Sequence, residues 1–406
     1  MKKNHQKISK KQVRNILTIR YNPEEKPPLH PLAWQSMNHN LSDIHGKQTE
    51  SLLRKNMECY DSSSKSISIS LSSGIDSSLL LGLLRKILPN KKIKAFCGIF
   101  HDGFDESENA KKIADQFDAD FKIVKMDSVF TNMPQLISIT RKPKWNTYAH
   151  LIAQASKKQG SNILITGDGA DEIFGGYTFR YAKFLNLSKP KDLWKAKTKN
   201  YLECHNRDWV PDQETIFGQA MKFNWEYIYT YFKSVFNNPL SPLKQVMLAD
   251  FNGKLLYDFI PTGKAISKYH DILITSPFLN SNLIDFGMKL SLSHKYEEDA
   301  QKGKLVLRKI TKRFGINHID EKRGFSPSIL YDWKEKGENI CSSYLLQKDS
   351  QIFQHKLINY DWIPMAIEKI KNDGDNRCLN RLISILALEI WCRIFISKDM
   401  KPSKKL

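Results

Sequence analysis

Hydrophobic and polar positions alternate in short runs along the first half of the chain. Ile67, Ile69 and Leu71 alternate with serines, and this period of two predicts a strand. Similar runs predict three further strands, and leucine-rich or amphipathic runs between them predict helices. The predicted strands are 67–71, 94–100, 121–126 and 162–166, and the predicted helices are 41–59, 79–88, 106–117 and 149–158. Strands that alternate with helices are typical of an α/β fold with a parallel sheet.

The pattern changes in the second half of the chain. Beyond about residue 178 the strand signals fade and long amphipathic stretches dominate, which predicts a mostly helical C-terminal part. Four parts are therefore predicted: a basic, proline-rich, extended segment at 1–40, an α/β core at 41–180, a mostly helical portion at 181–392 and a basic tail at 393–406.

The charge is unevenly distributed. The 406 residues carry 63 Lys and Arg against 43 Asp and Glu, a formal net charge of +20. Segments 1–20 and 393–406 hold +11 of it, which favours solvated basic ends over a nucleic-acid-binding surface. A hydrophobic fraction of 41% excludes a mainly disordered chain. The best apolar stretch, 382–396, is broken by Glu389 and Arg393, so no membrane span is predicted.

The cysteines and the N-terminus predict a compartment. The basic start at 1–11 is not followed by an apolar core, so a secretion signal is not expected. Six cysteines lie far apart, with no CxxC pair and no Cys/His metal spacing. They are typical of reduced thiols in a cytoplasmic protein.

The first segment with candidate chemistry is Leu71–Ser78, LSSGIDSS, between a predicted strand and a predicted helix. Small residues let the backbone approach a ligand closely, and free N–H groups at a helix N-terminus favour an anion. The segment is not a Walker loop, because no Gly-Lys-Ser/Thr closes it. Taken alone, it is as typical of an ordinary capped turn in an α/β protein.

The second segment is Thr166–Tyr177, TGDGADEIFGGY, directly after the fourth predicted strand. Three acids in five residues would repel a phosphate unless a cation bridged them, and carboxylates are ligands that Mg²⁺ prefers. Alone, this segment is more typical of an acidic surface turn. Ligands of parallel sheets bind beyond the carboxyl ends of the strands, where both segments lie. Together they predict a phosphate-binding loop facing a magnesium site.

These segments resemble the asparagine synthetase branch of the N-type ATP pyrophosphatases. LSSGIDSS resembles the pyrophosphatase loop, and TGDGADEIFGGY is similar to the second signature of that branch. Further similar segments follow in the family's order: 95–100 with Asp105-Glu106-Ser107, 276–280 (SPFLN), 304–308 (KLVLR) and 322–326 (KRGFS). The resemblance covers about residues 41–330. It implies an ATP pyrophosphatase core with a mostly helical part that completes the active site.

The resemblance also implies roles for individual residues. Mg²⁺ would be held by Asp76 and Asp171, and Asp168 and Lys322 would act on the reacting carbonyl. The residues expected to contact ATP or pyrophosphate are Leu71, Ser72, Gly74, Asp76, Ser77, Ser78, Gly98, Gly167 and Lys304. The implied reaction is adenylation of a carboxylate by ATP, followed by attack of an amine that releases AMP. Without the resemblance, Lys304 and Lys322 would be interpreted as surface lysines.

Departures from the family pattern limit these expectations. Lys2 follows Met1 where glutamine-hydrolysing members carry a cysteine, and only 71 residues precede Ser72, so the glutaminase domain is expected to be absent. Nitrogen would come from ammonia, another amine or a separate glutaminase. Ser73 replaces the first loop glycine, and 141–147 match the family's aspartate-side segment poorly. Aspartate is the leading acceptor substrate, and a different carboxylate substrate is the alternative. The sequence also leaves open whether the chain forms a homo-oligomer.

Parts of the sequence are compatible with three other functions. A β-lactam or carbapenam synthetase shares the adenylation half, but such relatives carry a tyrosine at the place of Asp168. A tRNA-modifying pyrophosphatase-loop enzyme would suit the basic charge. Such sulfur-inserting enzymes usually have paired cysteines, which this sequence lacks, and they lack the GDGADEIFGGY signature, which this sequence has. A catalytically silent scaffold is disfavoured because Asp76, Asp171, Lys304 and Lys322 are all retained.

Overall fold

A parallel sheet of five strands forms the centre of the α/β core, and four of these strands come from the N-terminal half of the chain. The computed structural model describes residues 8–60, 66–100, 105–189, 191–205, 212–316 and 329–406. The strands are β1 Ile67–Ser70, β2 Ile93–Ile99, β3 Ala119–Lys125, β4 Ile163–Ile165 and β5 Leu273–Thr275. Their order in the sheet is β3-β2-β1-β4-β5, and every neighbouring pair is parallel. The predicted α/β class with a parallel sheet is confirmed.

The fifth strand was not predicted. Leu273–Thr275 pairs with Ile163–Ile165 at the edge of the sheet, although it comes from the range 181–392 that the sequence pattern assigns to helices. The strand has three residues, and Leu273 is half exposed because an edge strand is covered on fewer sides. Neither a period of two nor an apolar run can emerge from so short a segment. The sheet therefore takes strands from both halves of the chain.

Twenty-one α-helices surround and extend this sheet within the described residues. They are α1 Lys10–Ile19, α2 Lys47–Met57, α3 Ile75–Ile87, α4 Ser107–Gln116, α5 Met133–Thr140, α6 His150–Lys158, α7 Ala170–Phe174, α8 Thr178–Leu187, α9 Trp194–Glu203, α10 Gln213–Ile216, α11 Trp225–Tyr229, α12 Lys233–Phe236, α13 Pro242–Asp250, α14 Ile260–His270, α15 Ser281–Lys289, α16 Leu305–Arg313, α17 Ile329–Asp332, α18 Glu338–Leu345, α19 Gln351–Gln354, α20 Trp362–Asp373 and α21 Asn376–Cys392. A π-helical segment, Phe251–Phe259, joins α13 to α14.

The predicted helices of the first half are present with shifted ends. α2 begins at Lys47 instead of 41, because Leu41 forms an isolated β-bridge with Leu290. α3 begins at Ile75, inside the segment predicted as a turn, so the candidate loop runs directly into a helix N-terminus. None of the described helices combines the length and apolar character that a bilayer crossing needs.

The N-terminal segment is not purely extended, and this prediction was wrong. Lys10–Ile19 forms a helix whose buried positions Val13, Ile16 and Leu17 recur at helical spacing. Val13 and Leu17 belong to a second apolar cluster that is built around α21. The lysines of the first turn hide this apolar stripe from an analysis of composition.

The C-terminal half packs around α21, which contains most of the apolar stretch predicted at 382–396. Fourteen of its 17 residues are buried, including Glu389, which pairs with Arg393 at 2.7 Å. The lysines of the basic tail are exposed. The last residue of the tail contacts the rest of the protein, because Leu406 N donates to Thr131 O at 3.0 Å. All six cysteines are free thiols, as the sequence predicts.

Candidate active site

The loop after β1 is organised by its own serines. Ser72 Oγ and Ser77 Oγ lie 3.0 Å apart, and Gly74 N donates to Ser72 Oγ at 3.1 Å. These bonds hold the loop against the N-terminus of α3, whose free N–H groups favour an anion. Ser78 is fully buried, and its hydroxyl donates to the backbone oxygen of Gly74, the residue that precedes α3, at 2.7 Å. Its contact with ATP stays a prediction.

The loop after β4 needs its glycines in order to fold. Gly169 (φ 90°) precedes α7 and Gly175 (φ 78°) ends it, in a backbone region that side chains disfavour. A Cβ at Gly176 would lie 1.8 Å from Asp171 Oδ1, and one at Gly167 would lie 2.9 Å from Asp76 Cβ. The loops after β1 and β4 are therefore in contact, and Gly167 is the residue that lets them approach.

Lys304 joins these two loops. Its side chain is only 7% exposed, and its Nζ lies 2.5 Å from Asp171 Oδ1 and also contacts Asp76 Oδ2. Burial alone would lower the pKa of Lys304, but Asp171 and Asp76 together raise it above its usual value. The left-handed backbone of Lys304 (φ 57°), just before α16, aims the side chain into the site. The surface-lysine interpretation is therefore wrong for Lys304.

The donor set suits a hard cation shared with a phosphate. Asp76 and Asp171 both contact one nitrogen, so a single ion of comparable size can reach both carboxylates. No group of three or more His, Cys, Asp or Glu side chains converges in the described parts of the chain. Mg²⁺ bound by one or two carboxylates plus substrate oxygens needs no such group. The two carboxylates therefore fit the expected Mg²⁺.

Asp168 lies at the solvent-exposed mouth of the site. Thr166 Oγ1 donates to Asp168 Oδ2 at 2.8 Å, and Ser276 Oγ donates to the backbone oxygen of Asp168 at 2.7 Å. Although part of Asp168 reaches solvent, the walls of the site around its carboxyl group limit hydration there and raise its pKa. The hydrogen bond from Thr166 opposes this shift, and the nearby Asp171 and Asp76 add to it. A carboxylate held in this way is suited to accept a proton from an approaching amine.

The remaining predicted residues lie at neighbouring strand ends, with one exception. Leu71 N donates to Phe96 O at 2.8 Å, and Gly98 is buried near the end of β2, so both flank the loop after β1. Lys322 lies outside the described residues, and its role stays a prediction.

Glu106 is a site residue to which the sequence assigned no role. Ser73 N and Ser73 Oγ both donate to Glu106 Oε2, at 2.9 and 2.8 Å. The second bond exists only because a serine replaces the family's glycine at position 73. Glu106 was already part of a segment that resembles the family, but its partner is 33 residues away and could not be identified from spacing. A carboxylate thus sits at a backbone N–H of the candidate phosphate loop.

A second buried pair supports the Asp171 turn. Tyr177 Oη donates to Glu172 Oε1 at 2.6 Å, and Glu172 is only 2% exposed. Burial and the adjacent Asp171 raise the pKa of Glu172 to about 8, although the bond from Tyr177 opposes this shift. The bond joins the middle of α7 to the residue after the two glycines, so it fastens the C-terminal end of the short helix that also carries Asp171.

Comparisons with known proteins match most of the chain in some cases and part of it in others. The profile of the Asparagine synthase family matches residues 48–393. The chain is 23% identical over 375 residues to asparagine synthetase (glutamine-hydrolyzing) 1 of Bacillus subtilis, covering 82% of this chain and 57% of that protein. It is 30% identical over 154 residues to amidase chry2 of Gibberella zeae, covering 32% and 22%. The chain thus spans little more than half of the first relative's length and less of the second.

A solved structure is also similar in part. It is NMN synthetase from Francisella tularensis, with 14% sequence identity and a TM-score of 0.27. The match covers 56% of this chain and 94% of that one.

Proposed function

The chain belongs to the asparagine synthase family, and from that premise we propose that it is an ATP-dependent, amide-forming ligase. Mg-ATP adenylates a carboxylate, with aspartate as the leading acceptor, and an amine or ammonia then forms the amide. The observation that carries this proposal is the meeting of Asp76, Asp171 and Lys304 at the carboxyl ends of β1 and β4. These residues come from three separate segments of the chain.

The first step needs the triphosphate to be held while its α-phosphorus is attacked. Ser72, Ser77 and the N-terminus of α3 provide hydroxyl and N–H donors for the phosphate oxygens. An oxygen of the acceptor carboxylate bonds to the α-phosphorus as the bond to the pyrophosphate oxygen breaks. Lys304 stabilises the negative charge that builds on the departing pyrophosphate. Bound between Asp76 and Asp171, Mg²⁺ would supply further neutralisation of phosphate charge.

The second step forms the amide. An amine nitrogen attacks the carbonyl carbon of the acyl-adenylate, loses a proton and expels AMP. We propose that Asp168 takes that proton, because it stands at the mouth and its pKa is raised. Lys322 is proposed to stabilise charge on the carbonyl oxygen and α-phosphate in both steps. The nitrogen comes from ammonia, another amine or a separate glutaminase.

The test is release of pyrophosphate. Purified protein is incubated with ATP, Mg²⁺ and ammonium, and individual amino acids are screened as acceptors. We expect release that depends on one acid, with AMP formed in equal amount. Pyrophosphate release with another acid but not with aspartate would refute the aspartate assignment. If no acid gives pyrophosphate release, with or without an added glutaminase, the proposed ligase activity is refuted.

Asp171→Asn tests the metal assignment, together with the pairing of Asp171 with Lys304. The amide keeps the shape of the side chain but removes the charge, so we expect pyrophosphate release to fall at least about a hundredfold. Asp115→Asn is the matched control, because Asp115 is an exposed carboxylate that pairs with Lys111 on α4, away from these loops. Full activity in Asp171→Asn would contradict the assignment.

A further inference from the structure

A buried ion pair lies close to the short helix α7, which carries Asp171. Arg180 is on the first turn of α8 and pairs with Asp250 at the end of α13, and the two residues are 6% and 1% exposed. Burial alone would lower the pKa of Arg180, but Asp250 raises it above its usual value, so the guanidinium is charged. Tyr201 Oη also donates to Asp250 Oδ1, at 2.7 Å, which joins α9 to the pair.

Tyr177 connects this ion pair to α7. The guanidinium carbon of Arg180 lies 4.3 Å from the centre of the Tyr177 ring, within the range of a cation–π contact. The hydroxyl of the same tyrosine donates to Glu172 Oε1 at 2.6 Å, and Glu172 directly follows Asp171. An unbroken series of contacts therefore leads from the ion pair to the helix that carries Asp171.

α7 depends on contacts with other elements because it is short. It has five residues, Ala170–Phe174, and an isolated helix of this length is not stable in water. Its C-terminal end is closed by Gly175 N and Gly176 N, which both donate to Asp171 O, at 3.0 and 2.9 Å. The acceptor belongs to the residue whose carboxylate contacts Lys304, so opening of this end of α7 would displace the carboxylate.

Stability alone does not explain the ion pair. Arg180 Nε and Asp250 Oδ2 are buried, and neither atom has a hydrogen-bond partner among the described residues. Buried polar atoms without partners destabilise a fold, and apolar residues of similar volume can replace a buried ion pair with little or no loss of stability. The pair therefore needs a second explanation, and the contact of its cation with Tyr177 provides one.

We propose that Arg180 is a positioning residue for Asp171. Asp250 holds the guanidinium of Arg180, the guanidinium fixes the ring of Tyr177, and the tyrosine hydroxyl fastens the end of α7. Asp171 is thereby kept where it meets Lys304 and where Mg²⁺ would bind. The part that concerns Mg²⁺ rests on the proposed function, whereas the order of α7 can be measured without turnover.

The double variant Arg180→Met with Asp250→Asn removes both charges of the pair together. The asparagine oxygen can still accept the bond from Tyr201, and no charge stays buried without a partner, so the fold should persist. Amide hydrogen exchange in a peptide that covers residues 170–177, followed by mass spectrometry, measures the opening of α7. We expect about tenfold faster exchange in this peptide, because a buried cation–π contact is lost, and unchanged exchange in peptides from α21.

A second measurement concerns the metal. The Mg²⁺ concentration that gives half-maximal pyrophosphate release should rise about threefold in the double variant, because Mg²⁺ must then order α7 as it binds. The rate at saturating Mg²⁺ should change little. If exchange accelerates but the Mg²⁺ dependence does not change, the role of Arg180 toward the metal is overturned.

Arg393→Met with Glu389→Gln is the matched control. Arg393 pairs with the buried Glu389 at 2.7 Å and lies 5.3 Å from the centre of the Tyr344 ring, so the same two kinds of contact are removed in the C-terminal half. This control should leave both the exchange at 170–177 and the Mg²⁺ dependence as in the wild type.

Tyr177→Phe tests the route from Arg180 to α7. It keeps the aromatic ring beside Arg180 but removes the bond to Glu172, so it should also speed exchange at 170–177. Combined with the double variant it should add little, because both changes interrupt the same series of contacts.

Three results would overturn the positioning role: wild-type exchange at 170–177 in the double variant, equal acceleration in the matched control, or simple addition of the two effects. If the wild type releases no pyrophosphate, the proposed function fails, and exchange at 170–177 still decides the positioning role. Unfolding midpoints identify a double variant that fails to fold. Arg180→Gln with Asp250→Asn, whose two amides can bond to each other, then decides.

Discussion

Replacing Lys304 by glutamine should expose the repulsion that this lysine now cancels. Asp76 and Asp171 both contact Lys304 Nζ, so their oxygens lie at most about 5 Å apart. Two unit charges at that separation repel by about 3 kcal/mol at an effective dielectric constant of about 20. Loss of one partner from a buried pair costs a similar amount. We expect Lys304→Gln to lower the free energy of unfolding by about 3 kcal/mol at neutral pH.

The loss should depend on pH in a defined direction. In the variant, each carboxylate raises the pKa of the other, so the folded state binds more protons than the unfolded state. The deficit is then largest at neutral pH and shrinks as the pH falls toward the ordinary aspartate value of about 3.9. In the wild type the pKa of Lys304 is raised, so its contribution is complete below the usual lysine pKa and is lost only at strongly alkaline pH.

Urea titrations with and without Mg²⁺ measure this effect. Mg²⁺ alone should restore part of the variant's stability, because it replaces the missing charge between the two carboxylates. Asp171→Asn combined with Lys304→Gln should also recover stability, since one of the repelling charges is gone. Lys309→Gln is the control, an exposed lysine on the same helix whose Nζ donates only to Ile44 O in the described structure. If Lys304→Gln is no less stable than Lys309→Gln, the described electrostatics are wrong.

Two further predictions concern the residues around this centre. Folded Glu172 keeps its proton up to a pKa of about 8, whereas the unfolded chain releases it near 4.5. Wild-type stability should therefore fall by a few kcal/mol as the pH rises through this window. Glu172→Gln should flatten the profile, and parallel profiles would refute the assignment. The carboxylate of Glu106 should repel pyrophosphate from the loop, so Glu106→Gln should tighten pyrophosphate binding by about 1 kcal/mol, roughly fivefold, in calorimetric titrations. Ser73→Gly should tighten pyrophosphate binding less than Glu106→Gln does, because it removes only one of the two bonds to Glu106. Unchanged pyrophosphate affinity in both variants would contradict the proposed repulsion.

Much of the fold follows from local pattern, and the exceptions have physical causes. Four strands were predicted because each buries enough side chains to form an apolar run or a period of two. β5 was missed because three edge residues carry neither signal. The helix Lys10–Ile19 was missed because its polar face holds lysines and its apolar face has only two or three turns. Both elements are stabilised by the surface they pack on, which is built from remote parts of the chain.

The residues of the candidate site also fall into those that local sequence pattern identifies and those that only the folded structure brings together. The two glycine-containing loops were found because their constraints are local: a Cβ at Gly176 collides with Asp171, five residues before it. The Lys304–Asp76 contact joins residues 228 positions apart, and only the resemblance to a family indicated it. The bond from Ser73 to Glu106 escaped both approaches. It is long-range, and it depends on a residue in which this chain departs from the family pattern.

Net charge is informative only when each cation is located. The sequence total of +20 suggested basic ends, yet several cations are buried, and each is compensated differently. Lys244, for example, donates to Met37 O, to His39 O and to Asn40 Oδ1. Among the described residues of the candidate active site, Asp76 and Asp171 both pair with Lys304, and two carboxylates around one lysine suit a metal cation. Lys144 and Arg180, by contrast, are each paired with one buried aspartate, Asp258 and Asp250 respectively. A count of charged residues distinguishes none of these environments, because it records neither the burial of a cation nor its partners.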